Sequence, residues 1–172
     1  VNIDGTKIQA NASKHRAMSY EHMERLEQQF KEEVECLMDK AKQVDMQEDK
    51  ELDIPAEIQR REDRIEKIRA AKAVIEQRAK ERFERERAEY EAKMNAREEK
   101  EKQSGKKTKG KKAKAPEEGP QAKDQYNFTD PESRIMKTSD GFDQCYNAQA
   151  AVCEQLLIVG ALANAHCVDT QE

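Results

Sequence analysis

Asp4 has the clearest claim to chemistry in this chain. It sits in "VNIDGTKIQ", where Val1 and Ile3 share one face of an extended segment and Asn2 and Asp4 the other. Gly5 allows a bend or a close approach next to it. An aspartate is disfavoured in a strand and costly to bury, and a bound cation offsets both penalties. In two-metal phosphodiester chemistry, carboxylates hold a pair of Mg²⁺ ions that activate the attacking oxygen and stabilise the leaving one. A single strand aspartate fits an exposed edge-strand charge at least as well. Basic groups that could meet phosphates near it are Lys7, Lys14, His15 and Arg16, with Arg134 and Lys137 flanking Ile135 and Met136. For any one of these, solvated surface charge is the simpler use.

Other reactive residue types give weaker signals. The cysteines Cys36, Cys145, Cys153 and Cys167 form no CxxC pair and read as free thiols. His15, His22 and His166 lack metal-site spacing, and a zinc site from Cys153, His166 and Cys167 is a remote option. "GKKTKGKKAK" could add non-specific affinity for nucleic acid, or be solvated linker.

The elements that position these residues follow from composition and periodicity. Of 172 residues, 40% are charged and 35% apolar, and Trp is absent. That suits long solvated helices plus a small packed part, not a core spread over the whole chain. Basic and acidic side chains number 32 and 36, a balance that opposes both self-repelling disorder and strong overall attraction to DNA. The most apolar stretch, "LLIVGALAN", is too short to cross a membrane and reads as a buried strand. These features suggest an intracellular, cytoplasmic chain.

Residues 1–9 read as a strand, and 10–19 as a polar connector in which Ser19 could cap a helix. Met23, Leu26, Phe30, Val34, Leu37, Met38, Ala41 and Val44 recur at helical steps and predict a helix over 20–46. Ile54 should be extended ahead of Pro55. Ile58, Ile65, Ile68, Ile75, Ala79, Phe83, Tyr90 and Met94 predict a second helix over 56–103, roughly 70 Å long. An antiparallel hairpin turning near Pro55 would bury the first stripe against the near part of the second, with Met23, Met38 and Met94 as core filler, while the end of the longer helix, from about Phe83, must pack elsewhere, find a partner chain or fray. Arg61 and Lys72 at seam-like positions argue against a long dry coiled coil. Residues 104–124 read as a Lys/Gly/Pro-rich linker. Beyond it, "TDPE" signals a turn, and strands are expected near 145–153 and 156–163, joined at "CEQ".

"VNIDGTKIQANASKHRAMSY", a charged helical middle, then "YNFTDPESRIMK" and "GFDQCYNAQAAV" closely resemble the DDE-class bacterial insertion-sequence transposases. The resemblance rests on the two ends and on the general character of the middle. It implies an α+β chain: a partial RNase H-like fold, its first three strands interrupted by a long helical hairpin or coiled-coil insertion. Its parts would be 1–19, the insertion 20–103, the linker 104–124 and the truncated strands 125–172. It implies that Asp4 is the first acid of the catalytic triad and a ligand of Mg²⁺ or Mn²⁺. DNA, as element ends and target, would be the partner. Independently of the resemblance, the two helical stripes leave room for self-association through the insertion. Tyr146, Asn147 and Gln149 would be signature residues serving strand packing or DNA contact. The pattern departs at Cys145, Cys153 and Ala163, where Gly, an acid and Thr are expected. The second and third acids should lie beyond residue 172, and Asp169 and Glu172 follow the third strand too closely to be them. The chain would then be a segment that does not cleave DNA alone. The alternative from a different class is a helical interaction protein without catalytic activity.

Overall fold

The computed structural model describes residues 2–44, 53–105, 110 and 113–165. Val1, the residues joining the two helices, most of the lysine run, and His166, Cys167, Asp169 and Glu172 lie outside the described residues. The chain divides into two compact units, Val1–His22 with Gln125–Glu172, and Met23–Asp124.

The first unit is built on sheets. Strand β1 (Asn2–Gln9) pairs antiparallel with the long strand β5 (Gly141–Val152), Asp4 opposite Ala150 and Lys7 opposite Asn147. Strands β4 (Arg134–Thr138) and β6 (Ile158–Asn164) also pair antiparallel with β5. Cys145 faces both Gln9 and Arg134, and Asn147 faces both Lys7 and Asn164. β4 and β6 therefore lie end to end along the edge of β5 opposite β1. β5 begins four residues before the expected start, because Gly141 at φ 129° turns the chain out of β4 directly into it.

The connector 10–19 carries structure that its polar composition concealed. Ser13 caps a turn of 3-10 helix at Lys14–Arg16, its Oγ accepting the His15 amide. Strand β2 (Ala17–Ser19) follows and pairs with strand β3 (Gln125–Asn127) in a second, two-stranded sheet.

In the second unit, helix α1 (Tyr20–Val44) runs antiparallel to helix α2 (Ile54–Ser104). Register follows from the ion pairs Glu33–Arg61 at 2.7 Å and Glu27–Arg69 at 2.9 Å. Ser19 Oγ accepts the His22 amide at 3.4 Å at the start of α1. Asp53 caps α2 by accepting the Ala56 amide at 3.2 Å. Ile54 is thus helical and buried, not extended: Pro55 occupies the first turn, where its missing N–H costs nothing. Gly105 ends α2 in the left-handed region at φ 63°.

Met23, Phe30, Val34 and Leu37 of α1 are buried, as are Ile65, Ile68, Ala71, Ile75 and Ala79 of α2. Met38 is not core filler, being 44% exposed on the side of the hairpin. The seam also encloses charge. Glu27 is buried and bound by Lys31 (2.9 Å), Arg69 and Lys72 (3.2 Å). The Lys31 bond chiefly, with those from Arg69 and Lys72, outweighs burial and lowers the Glu27 carboxyl from 4.5 to about 2.

The expected linker does not run free where it is described. Arg82 on α2 makes two 2.9 Å bonds to the Asp124 carboxylate and reaches the Gly119 carbonyl. Ala113, Lys114 and Pro116 line a small cleft with Tyr90 and Lys93 of α2. Residues 113–124 thus lie back along the end of α2, which covers part of the Phe83, Tyr90 and Met94 stripe.

"LLIVGALAN" forms β6, but not as a buried strand. Leu157, Ile158, Val159 and Leu162 are 53–69% exposed, because β6 is an edge strand and no described element covers either face.

Candidate functional site

Asp4 lies in the middle of β1 with its carboxylate in solvent. One oxygen accepts the amide of its neighbour Gly5 at 2.9 Å, which orients the group but leaves the other oxygen open. Its lateral neighbours are small: Ala150 opposite on β5, then Ala161 on β6. One register step along, Thr6 faces Ala148, and Ala148 faces Ala163. On its face of the sheet the carboxylate is therefore flanked by alanines.

Strand alternation decides which candidates can join it. Residues opposite one another across an antiparallel pair share a face. Asp4, Ile8 and Tyr146 are on one face, and Lys137 joins them through its pairing with Phe142. Lys7, Asn147, Cys145 and Arg134 are on the other. The expected phosphate-binding group is thus split by the sheet. Lys7 and Arg134 cannot share a ligand with Asp4 on one face.

The second face is already occupied by structure. Asn147 is fully buried beside buried Cys145 and Met136, which fits a packing role. Burial pushes the Cys145 thiol above its ordinary range. Lys14 reaches Asp143 at 3.7 Å. Arg134 curls back and donates to the carbonyls of Pro131, Glu132 and Ser133 at 2.8–3.0 Å, closing its own turn. His15 and Arg16 lie exposed in the 3-10 turn and at its end.

The turn 127–134 contains groups that sequence reasoning did not single out. The Asn127 side chain accepts the amides of Thr129 and Asp130 and donates to the Ser13 carbonyl. Asp130 accepts the amides of Glu132 and Ser133. The Tyr146 hydroxyl closes on both Asp130 oxygens. Ser133 donates to Gln144 at 3.0 Å in the buried interior. The Asn, Asp-Pro and Ser spacing of "NFTDPES" is the signal for such side-chain-to-backbone turns. It fixes a scaffold on the β5 side and supplies no reactive pair.

Mg²⁺ needs several oxygen ligands, commonly one or two carboxylates with the rest from water and phosphate. No group of three or more His, Cys, Asp or Glu side chains among the described residues could hold a metal ion. Asp4 supplies one ligand, and the described residues do not complete a two-metal site. Among the described helices none is long and apolar enough to cross a membrane. No family model matches the chain, and neither a curated protein nor a solved structure matches it.

Proposed function

We propose that this chain is part of the catalytic domain of a DDE-class DNA transposase, and that Asp4 is its first metal-binding acid. In the whole enzyme the metal pair would supply activation of water and stabilisation of the leaving oxygen, cleaving DNA and joining its 3′ end to a target. The observation that carries the reading is Asp4 itself: a solvent-facing carboxylate in mid-strand, held by the Gly5 amide beside small neighbours. A merely solubilising charge needs neither the anchored oxygen nor the flanking alanines. β6, β5 and β1, side by side and all antiparallel, also suit the first three strands of an RNase H-like sheet. On the Asp4 face Lys137 is the candidate for phosphate contact; Tyr146 on that face and Asn147 on the other serve the scaffold.

Residue-resolved binding of Mn²⁺ tests the assignment. Paramagnetic broadening should centre on the amides of Gly5 and Ala150 and vanish in Asp4→Asn. Broadening elsewhere, or broadening that survives the substitution, would remove Asp4 from the metal site. The chain alone should not nick DNA. Nicking that disappears in Asp4→Asn would instead mean that the site is complete within these residues.

The second reading is a helical interaction protein. It is favoured by the hairpin, whose buried Glu27 network fixes one register without reference to the sheet.

A further inference from the structure

Two Asp–Gly bonds occur in the chain, Asp4–Gly5 and Asp140–Gly141, and no Asn–Gly. An aspartate followed by glycine can react with its own backbone. The glycine amide nitrogen attacks the aspartate Cγ and a C–N bond forms. The nitrogen gives up its proton and the carboxyl gives up a hydroxyl, which leave together as water. The product is a five-membered cyclic imide. Water opens it again at either carbonyl, restoring aspartate or yielding isoaspartate, whose main chain runs through the side-chain carbon. Water is the only co-reactant. Glycine favours the reaction because it has no Cβ to crowd the ring and its backbone turns freely.

The fold puts the two bonds in opposite situations. Ring closure requires rotation about the Cα–C bond of the aspartate, which swings the whole following peptide. At Asp4 that peptide lies inside a ladder: Asp4 faces Ala150 and Gly5 faces Gln149, with Ile3 and Thr6 also paired. Turning it would part β1 from β5 in mid-strand. The Asp4 carboxylate also accepts the Gly5 amide at 2.9 Å, so the amide presents its proton to an oxygen and not its nitrogen to Cγ.

At Asp140 little resists. Ser139 and Asp140 are exposed and form the two-residue turn between β4 and β5. Only the terminal pair, Thr138 with Gly141, must fray for the peptide to rotate. Beyond the adjoining residues no atom lies within 4 Å of the place a Gly141 Cβ would take, so the ring has room. The Ser139 hydroxyl donates to Asp140 Oδ2 at 3.3 Å, which sets a proton donor on a carboxyl that must shed an oxygen. The glycine is itself demanded by the turn, since Gly141 sits at φ 129°. The reactive pair therefore comes with the hairpin.

We infer that Asp140–Gly141 is a self-modification site that converts to isoaspartate in the folded protein, and that pairing with β5 protects Asp4 from the same change. The added main-chain carbon lengthens a turn that sets the register of β4 on β5, where Thr138 faces Gly141 and buried Met136 faces Asp143. Conversion therefore loosens that end of the sheet. The inference holds whether or not the chain belongs to a DNA-cutting enzyme.

Ageing the full chain at neutral pH, folded and in guanidinium chloride, tests it, with isoaspartate located by proteolysis and electron-transfer mass spectrometry. In the folded chain isoaspartate should accumulate at 140 at least about tenfold faster than at 4, because a hairpin tip opens more readily than the middle of a strand. In denaturant the two rates should converge. Asp140→Glu, which would need a larger and slower-closing ring, should remove the signal at 140 and leave the circular dichroism of the fresh protein unchanged. Equal conversion at 4 and 140 in the folded chain would overturn the inference. So would no conversion at 140 over a period in which the denatured chain converts, or a folded-state signal that survives Asp140→Glu.

Discussion

The hydroxyl of Tyr146 lies 2.8 and 2.9 Å from the two carboxylate oxygens of Asp130, bracing the 127–134 turn against the central strand. Burial, and then the Asp130 hydrogen bond, raise the Tyr146 phenol above its ordinary value. A raised value in the folded state means stability that is intact below the unfolded-state value near 10 and is lost as pH climbs through the folded one. Spectrophotometric titration should therefore show one tyrosine ionising after the others. Tyr146→Phe should abolish that late step and cost roughly 1.5–3 kcal/mol, the range for a hydrogen bond to a charged group. A titration curve identical in the variant would refute the pairing.

Glu27 sets the acid limit of the hairpin. Its carboxyl, lowered from 4.5 to about 2, contributes stability that is complete above 4.5 and disappears as pH falls toward 2. The shift corresponds to about 3 kcal/mol. Helical signal should melt at lower temperature across this window in the native chain. Glu27→Gln should be destabilised at neutral pH and show a flatter dependence there. Equal slopes for both proteins would show that Glu27 is not the titrating group.

Arg82 and Asp124 hold residues 119–124 on α2. Burial opposes ionisation of Asp124, but the bonds from Arg82 and the Gln121 amide prevail and keep its carboxyl below the ordinary range. Arg82→Ala should leave α2 helical while amide exchange at Gln121 and Asp124 speeds up by an order of magnitude or more, since an unpaired, half-buried carboxylate pulls the segment into water. Unchanged exchange would mean that the segment is held by other contacts.

Asp4→Asn should be thermally silent, within about 0.5 kcal/mol of the native chain, because the carboxylate is exposed and binds only its neighbour's amide. Calorimetry on the pair, run beside the Mn²⁺ experiment, separates loss of a ligand from loss of the fold. A large drop in melting temperature would assign Asp4 a structural role.

Much of the framework was legible in particular residues. The stripes of Met23 to Leu37 and Ile65 to Ala79 placed both helices within about two residues of their described ends. The alternation around Asp4 placed β1, and the apolar run placed β6. The failures are also physical. β2 is three residues long and defined only by its partner Gln125–Asn127, far away in sequence, so no local pattern announces it. Ile54 looked extended because a proline follows, yet a helix start tolerates proline and Asp53 supplies the cap. The exposure of β6 could not be read from its apolarity, because burial depends on what covers a strand. The separation of Lys7 and Arg134 from Asp4 needed the register of β5, and register is a property of two strands, not of one.

The pairing of Asp4 with Ala150 carries a consequence for the order of assembly. Nearly the whole chain separates the two residues, so β1 leaves a ribosome long before its partner exists. Closing so large a loop from an unstructured chain is slow, whereas a helical hairpin forms from contacts close in sequence. Once α1 and α2 have zipped and β3 has met β2 at Ser19 and Gln125, the excursion between the strands is already closed, and β5 has only a short search left to reach β1. Until then β1 is an unpaired strand with Ile3 and Ile8 on show, and the nascent chain depends on the speed of the hairpin to shorten that interval.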